Sequence, residues 1–163
     1  MKILAAIYFS VAASAATASD LPNPAITPGA LNPAVTQENI AVTVCVKGWT
    51  KTIRPPAYRT NKIKKAQIVQ YGYDDTDPKH YEEDHLIALS IGGAPDDERN
   101  LWPQPRKGMW SAAKKDQLES VLHKMVCDHR VTLVDAQHAM AGNWIDGYKK
   151  YVPQYSDQLE SVD

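Results

Sequence analysis

Apolar and polar positions divide the chain into stretches of different character. Lys2 precedes an apolar run from Ile3 to Ala13, and small residues continue from Ser14 to Ser19. That layout predicts a secretory signal peptide over residues 1–18, with Ala16 and Ala18 at the small-residue positions of its cleavage site. The run is too short to span a membrane, and no later stretch approaches the roughly 18 uninterrupted apolar residues a span needs. The mature chain is therefore expected to be exported, either periplasmic or secreted. Residues 19–37 contain Pro22, Pro24, Pro28 and Pro33 with Gly29, which predicts an irregular arm lying on the surface or left loose.

Residues 38–150 are long enough for one domain, followed by a polar tail over 151–163. Ile40, Val42, Val44 and Val46 alternate with Ala41, Thr43 and Cys45, the pattern of a half-buried strand. Pro55 and Pro56 stop whatever follows it. A helix is expected over Thr60–Tyr71, its apolar face loosely drawn by Ile63, Ile68 and Tyr71, with Gly72 placed to end it. A clearer helix starts near Ser111 and presents Ala112, Leu118, Val121, Leu122 and Met125 at helical spacing up to Cys127. Another starts at Thr132, a capping residue with Asp135 three positions on, and buries Leu133, Ala136, Met140 and Trp144. Helical spacing explains these apolar positions as core, without a cofactor.

Charge changes the picture through its distribution. The formal net charge is −1, and loss of the leader removes one Lys and no acid, giving −2, so the total does not mark a nucleic-acid binder. Between Lys47 and Lys65, however, stand Lys47, Lys51, Arg54, Arg59, Lys62, Lys64 and Lys65 without an Asp or Glu. Such a stripe is either a solvated face or, beside a catalytic motif, a phosphate-binding one. Cys45 and Cys127 lie far apart, neither has a Cys partner at metal-ligand spacing, and export favours oxidation, so a structural disulfide between them is expected.

Candidate chemistry concentrates between Tyr81 and Leu101. Glu82, Glu83 and Asp84 lead into His85 and an apolar run, Leu86 to Leu89, expected as a strand. Gly92, Gly93 and Pro95 then open a polar loop ending at Asn100, after which Leu101 and Trp102 return as a second strand before the helix at Ser111. Phosphodiester hydrolysis needs a positive centre at the phosphate, a base for the attacking water, and a group holding that base in register. Asp84 is a hard oxygen ligand for a divalent ion, His85 accepts a proton near neutral pH, and the Asn100 amide can fix the imidazole. Each residue alone also has an ordinary structural reading, and their joint spacing around the glycine pair is what favours the chemical one. Lys115, Asp116 and Glu119 could bind phosphate or metal, but are read as surface ion pairs. His123 is read as a packed or solvent-facing helical histidine.

These segments resemble the HNH nucleases of ββα-metal fold, in particular an exported branch with a DHLI strand, a GG loop and an NLWP turn. The resemblance extends in order through CVKGWTKTIRPPAYRTNKIKKAQIVQYGY, EDHLIALSIGGAPDDERNLWPQP, AAKKDQLESVLHKMVC and LVDAQHAMAGNW, covering most of the chain from Cys45 to Trp144. It implies an α+β fold with a ββα-metal core and flanking helices. It further implies Asp84 as metal ligand, His85 as general base and Asn100 as the residue orienting that base. The family's further ligand, an Asn or His early in the following helix, falls here on Ser111, a weak donor that a water or Asp116 could supplement. Ala88 stands where the family's strand usually has Pro, and His129 where Gly is expected.

The function this implies is metal-dependent endonucleolytic cleavage of nucleic acid, DNA ahead of RNA, with low sequence preference. The metal expected is Mg²⁺, with Mn²⁺ or Zn²⁺ as alternatives. Lys51, Arg54, Arg59, Lys62 and Lys64 are expected to line the nucleic-acid groove. Two other readings keep the same fold: a catalytically impaired nucleic-acid-binding protein, and a secreted nuclease toxin or effector.

Overall fold

A computed structural model describes residues 18–160, and the expected leader over 1–18 lies outside the described residues except for Ala18. The fold is α+β in a single domain. After a 3-10 turn at Gln37–Val42 come α1 (Trp49–Ile53), α2 (Ala57–Tyr71), β1 (Tyr81–His85), β2 (Leu101–Pro105), α3 (Ala112–Cys127), α4 (Leu133–Ala141) and α5 (Trp144–Glu160). β1 and β2 form an antiparallel pair in which Asp84 stands opposite Trp102 and His85 opposite Leu101. The main core gathers Val35, Ile40, Val44 and Ile87 against Leu118 and Leu122 of α3, Met140 of α4 and Trp144 of α5. A smaller cluster of Ile68, Tyr73 and Tyr81 joins α2 to the edge of the hairpin, with Tyr73 and Tyr81 stacked at 5.2 Å.

Several elements follow the expected local logic. α2 ends at Gly72, whose φ of 68° is one that a side chain disfavours. It begins at Ala57, three residues before the expected start, because Pro56 supplies an extended residue from which a helix can open. α3 occupies the expected span and buries its expected apolar stripe. Thr132 caps α4, its hydroxyl accepting from the Asp135 amide at 3.1 Å. His129, where glycine was expected, takes a φ of 56° in the turn that ends α3, so the left-handed conformation is kept without the residue that tolerates it best.

Four expectations about elements are corrected. Residues 40–46 are not a strand: Ile40 and Val44 are buried at helical spacing while Val42 and Val46 are exposed, and Thr43 and Cys45 donate back to the Ile40 carbonyl. Among the described residues no strand pairs with the segment, and its backbone bonds close locally. Leu86 to Leu89 are not a strand either; the strand is the acidic segment before them. All four are buried, but the chain turns at Ala88, whose carbonyl accepts from Ile91 and Gly93. Trp144 does not belong to the helix capped by Thr132. α4 stops at Ala141, Gly142 and Asn143 intervene, and the Asn143 side chain accepts from Ile145 to start α5, which continues through the region expected as a polar tail. Finally, the proline-rich arm is irregular but not loose. Gly29 donates to Arg99, Asn32 to Gly92, and Ala94 back to Ala30, while the buried Thr27 hydroxyl donates to Leu101.

Cys45 and Cys127 are bridged, with Cα atoms 5.6 Å apart and 82 residues between them in sequence. The bridge ties the turn after residue 42 to the end of α3. Among the described residues no helix is long and apolar enough to cross a membrane. Closing so long a loop constrains the unfolded chain, and Cys45→Ser with Cys127→Ser should lower unfolding stability by about 3 to 5 kcal/mol. Denaturant titration of the oxidised protein and the double variant checks this.

Candidate functional site

The site is built where β1 ends. Along an antiparallel pair side chains alternate, so Glu82 and Asp84 share one face with Trp102 and Gln104, and Tyr81, Glu83 and His85 share the other with Leu101. Beyond His85 the chain folds back through the turn at Ala88, passes Gly93, and returns to β2 at Asn100. Gly93 is required there. A Cβ on it would fall 1.8 Å from the Ile87 carbonyl oxygen, which no side chain can occupy.

Asn100 closes this loop. It is fully buried; its Oδ1 accepts from the Ile87 amide at 2.9 Å and, more distantly, from Ala30 at 3.5 Å, and its Nδ2 donates to the carbonyls of Ile87 and Ala94, each at 3.0 Å. An amide side chain offers two donors and one two-lone-pair acceptor, and all are committed to backbone. Asn100 therefore does not hold the imidazole directly, contrary to the sequence expectation. The group that holds it is the Pro95 carbonyl, 3.0 Å from His85 Nε2. A carbonyl only accepts, so Nε2 carries the hydrogen and Nδ1 keeps the lone pair. Burial pushes the His85 pKa down, partly opposed by Pro95 and Asp84, while the charges of Arg54 and Lys115 lower it further. The ring is thus a neutral base of defined tautomer, oriented through a loop that Asn100 shapes.

Asp84 faces α3. Its Oδ2 lies 2.6 Å from Lys115 Nζ, and Lys115 is fully buried, bonding also to Glu119 Oε1 at 2.5 Å and the His85 carbonyl at 2.7 Å. Lys115 and Glu119 are therefore not a surface pair. Burial alone would lower the Lys115 pKa, but the charges of Asp84 and Glu119 outweigh it and hold the ammonium charged; Glu119 in turn is raised, chiefly by burial. Asp116, exposed on the next position of α3, has its carboxyl raised by partial burial and then by the charges of Asp84 and Glu82. Ser111 sits at the N-cap of α3 with its hydroxyl making no cap bond. Glu83, on the other face, is raised to about 8, mainly by burial, and its carboxylate oxygens have no hydrogen-bond partner among the described residues.

The residues of the expected basic groove are not all exposed. Lys51, Arg54 and Lys62 are exposed, and the Arg54 charge acts on His85. Arg59 is exposed but ion-paired to Asp96 of the loop at 2.9 Å. Lys64 is the exception. It lies on the buried face of α2 with its ammonium 3.3 Å from the Tyr81 carbonyl, because α2 packs this side against the hairpin. His123 is packed as expected, its Nε2 2.9 Å from the Val44 carbonyl. A surface cavity of about 530 Å³ lined by Gln37, His129, Thr132, Asp135 and Lys150 contains none of the candidate site residues.

Sequence reasoning read Lys115 as a surface ion-pair residue, where the pair with Glu119 forms but is buried at the lysine, and it missed Pro95. Lys115 had a readable signal, since it falls on the same helical stripe as Ala112, Leu118 and Leu122, where a charge implies a buried partner. Pro95 had none, because it acts through its backbone carbonyl. Among the described residues, no group of three or more His, Cys, Asp or Glu side chains converges as a ready metal cluster. Asp116 is the carboxylate of α3 on which the charges of Asp84 and Glu82 act. Comparison of the chain with family models, with curated proteins and with solved structures finds no match in any of the three.

Replacing Asn100 by Ala would leave the Ile87 amide and two carbonyls buried without partners, and should cost about 2 to 4 kcal/mol. Chemical denaturation of Asn100→Ala beside the parent protein measures it.

Proposed function

We propose that the chain is an exported, metal-dependent endonuclease of the HNH type, with His85 as general base. The observation that carries this reading is the His85 imidazole, fixed by the Pro95 carbonyl at Nε2, with burial favouring its neutral form, beside Asp84 at the end of an antiparallel hairpin. The order strand, loop, strand, helix, with α3 joined to β1 through Lys115 and Asp84, is the layout a ββα-metal core requires.

The donor set fits a hard divalent ion. Mg²⁺ takes one or two carboxylates and keeps several waters, which matches Asp84 with Asp116 as a second carboxylate; Mn²⁺ suits the same oxygens, whereas zinc sites draw chiefly on Cys and His. Such an ion would neutralise charge building on the scissile phosphate. The chain's own residues do the rest. His85 Nδ1 takes a proton from the attacking water, and the Pro95 carbonyl stabilises the imidazolium that results. Asn100 keeps Pro95 in place by holding the loop at Ile87 and Ala94. Exposed Arg54 and Lys62, with Lys51, draw the phosphate backbone toward this end of the hairpin, and none of them reads a base, so cleavage has low sequence preference. DNA is the favoured substrate, and the leader expected from the sequence together with the disulfide supports an exported location.

His85→Ala should reduce cleavage of plasmid DNA in Mg²⁺ by about 10² to 10⁴-fold while the protein stays folded, because only the base is lost. EDTA should abolish parent activity. Full activity of the variant would remove His85 from the mechanism, and an inactive parent protein that still binds DNA would favour the reading as a binding protein.

Salt dependence tests the groove. Each phosphate contact lowers log affinity by about 0.7 to 0.9 per unit of log salt, so Arg54→Glu with Lys62→Glu should flatten the slope by roughly two contacts and weaken all sequences alike. Titration of a short duplex in Ca²⁺ compares the two proteins. An unchanged slope would take these residues off the nucleic-acid surface.

A further inference from the structure

We infer that Lys115 is a positioning residue of the candidate site: from within α3 its buried ammonium holds the Asp84 carboxylate and the His85 carbonyl in register, so that the metal ligand is oriented before any ion binds. The inference rests on the nuclease reading above and adds to it a residue that neither the motif nor the spacing of the site indicated.

The ammonium donates to Glu119 and to the His85 carbonyl, and Asp84 is its close ion-pair partner. Three oxygens surround Nζ: Asp84 Oδ2 at 2.6 Å, Glu119 Oε1 at 2.5 Å and the His85 carbonyl at 2.7 Å. Two of them belong to adjacent residues thirty positions away in sequence, the two on which the proposed chemistry depends. Gripping the side chain of one and the backbone of the next leaves the end of β1 little freedom to rotate. Lys115 also stands on the apolar stripe of α3, where a leucine would pack at no electrostatic cost; an ammonium there is costly unless it is fully paired.

Glu119 completes the arrangement. It lies one helical turn on and keeps 22% side-chain exposure, so the ammonium is shared between two carboxylates and does not neutralise Asp84 alone. Two carboxylates share one ammonium, and Asp116 lies close enough for the charge of Asp84 to act on it. Asp84 is in this way fixed in place and still able to attract a cation.

The test removes the pair without changing local charge. Lys115→Met combined with Glu119→Leu takes away one positive and one negative group and leaves apolar side chains of similar size, with Asp84 and the His85 carbonyl without their partner, so circular dichroism first establishes that the variant is folded. Mn²⁺ affinity, read from the electron paramagnetic resonance of free Mn²⁺, should fall by about 10 to 100-fold. The Mn²⁺ concentration that half-saturates cleavage should rise by the same factor, while KM for DNA stays as in the parent. Parent-like Mn²⁺ affinity in a folded double variant would overturn the inference. A measurement on the parent protein covers the case in which the double variant does not fold: the ¹⁵N-labelled Lys115 ammonium resonance should move on Mg²⁺ titration, with the midpoint of metal binding. A resonance that stays still through saturation would overturn the inference equally. If the parent neither binds Mn²⁺ nor cleaves, the nuclease reading falls and the role of Lys115 with it. If the parent does both and the double variant matches it, only the role of Lys115 is lost.

Discussion

The side chain of Asn100 is the constraint on which the rest of the site depends. Every polar capacity of its amide goes to backbone on three separate stretches: the turn after β1, the glycine loop and the proline-rich arm. These stretches have few regular hydrogen bonds of their own, so without the amide several backbone groups would be buried unpaired. The position of the Pro95 carbonyl, and so the tautomer of His85, is a consequence of that closure. Gly93 makes it possible by letting the loop pass against Ile87.

Buried lysines give the hairpin its other restraints. Lys64 reaches it from α2 and bonds the Tyr81 carbonyl at the start of β1; Lys115 reaches it from α3 and bonds the His85 carbonyl at the end. A two-stranded sheet is marginal by itself, and here its acidic strand is held between two helices by ammonium groups at both ends. This explains how Glu82, Glu83 and Asp84 can follow one another in a strand. Glu82 is paired with Arg106, Asp84 with Lys115, and Glu83, without a hydrogen-bond partner among the described residues, has its pKa raised by burial against the opposing charge of Lys64.

The helices were legible because burial on one side imposes a 3.6-residue period that α3 displays over four turns, and because Thr132 and Gly72 mark ends by local chemistry. The disulfide was legible from cysteine count and expected compartment. The strands were less so. Alternation at residues 40–46 had the period of a strand, but a strand exists only if another pairs with it, and none is offered there. The apolar run at Leu86–Leu89 is buried on all sides, which removes any period from it.

The sequence by itself marked the candidate residues: Asp84, His85 and Asn100 stand out by type and spacing, and the elements around them by period and caps. Only the tertiary structure decided what each one touches. Asn100 holds a loop and not the ring, Lys64 points inward, and Lys115 sits between Asp84 and Glu119, because these contacts join residues distant in sequence. Local propensity carries no record of which carbonyl or carboxylate a buried donor will meet, and that partner is set by how α2, α3 and the arm pack around one short hairpin.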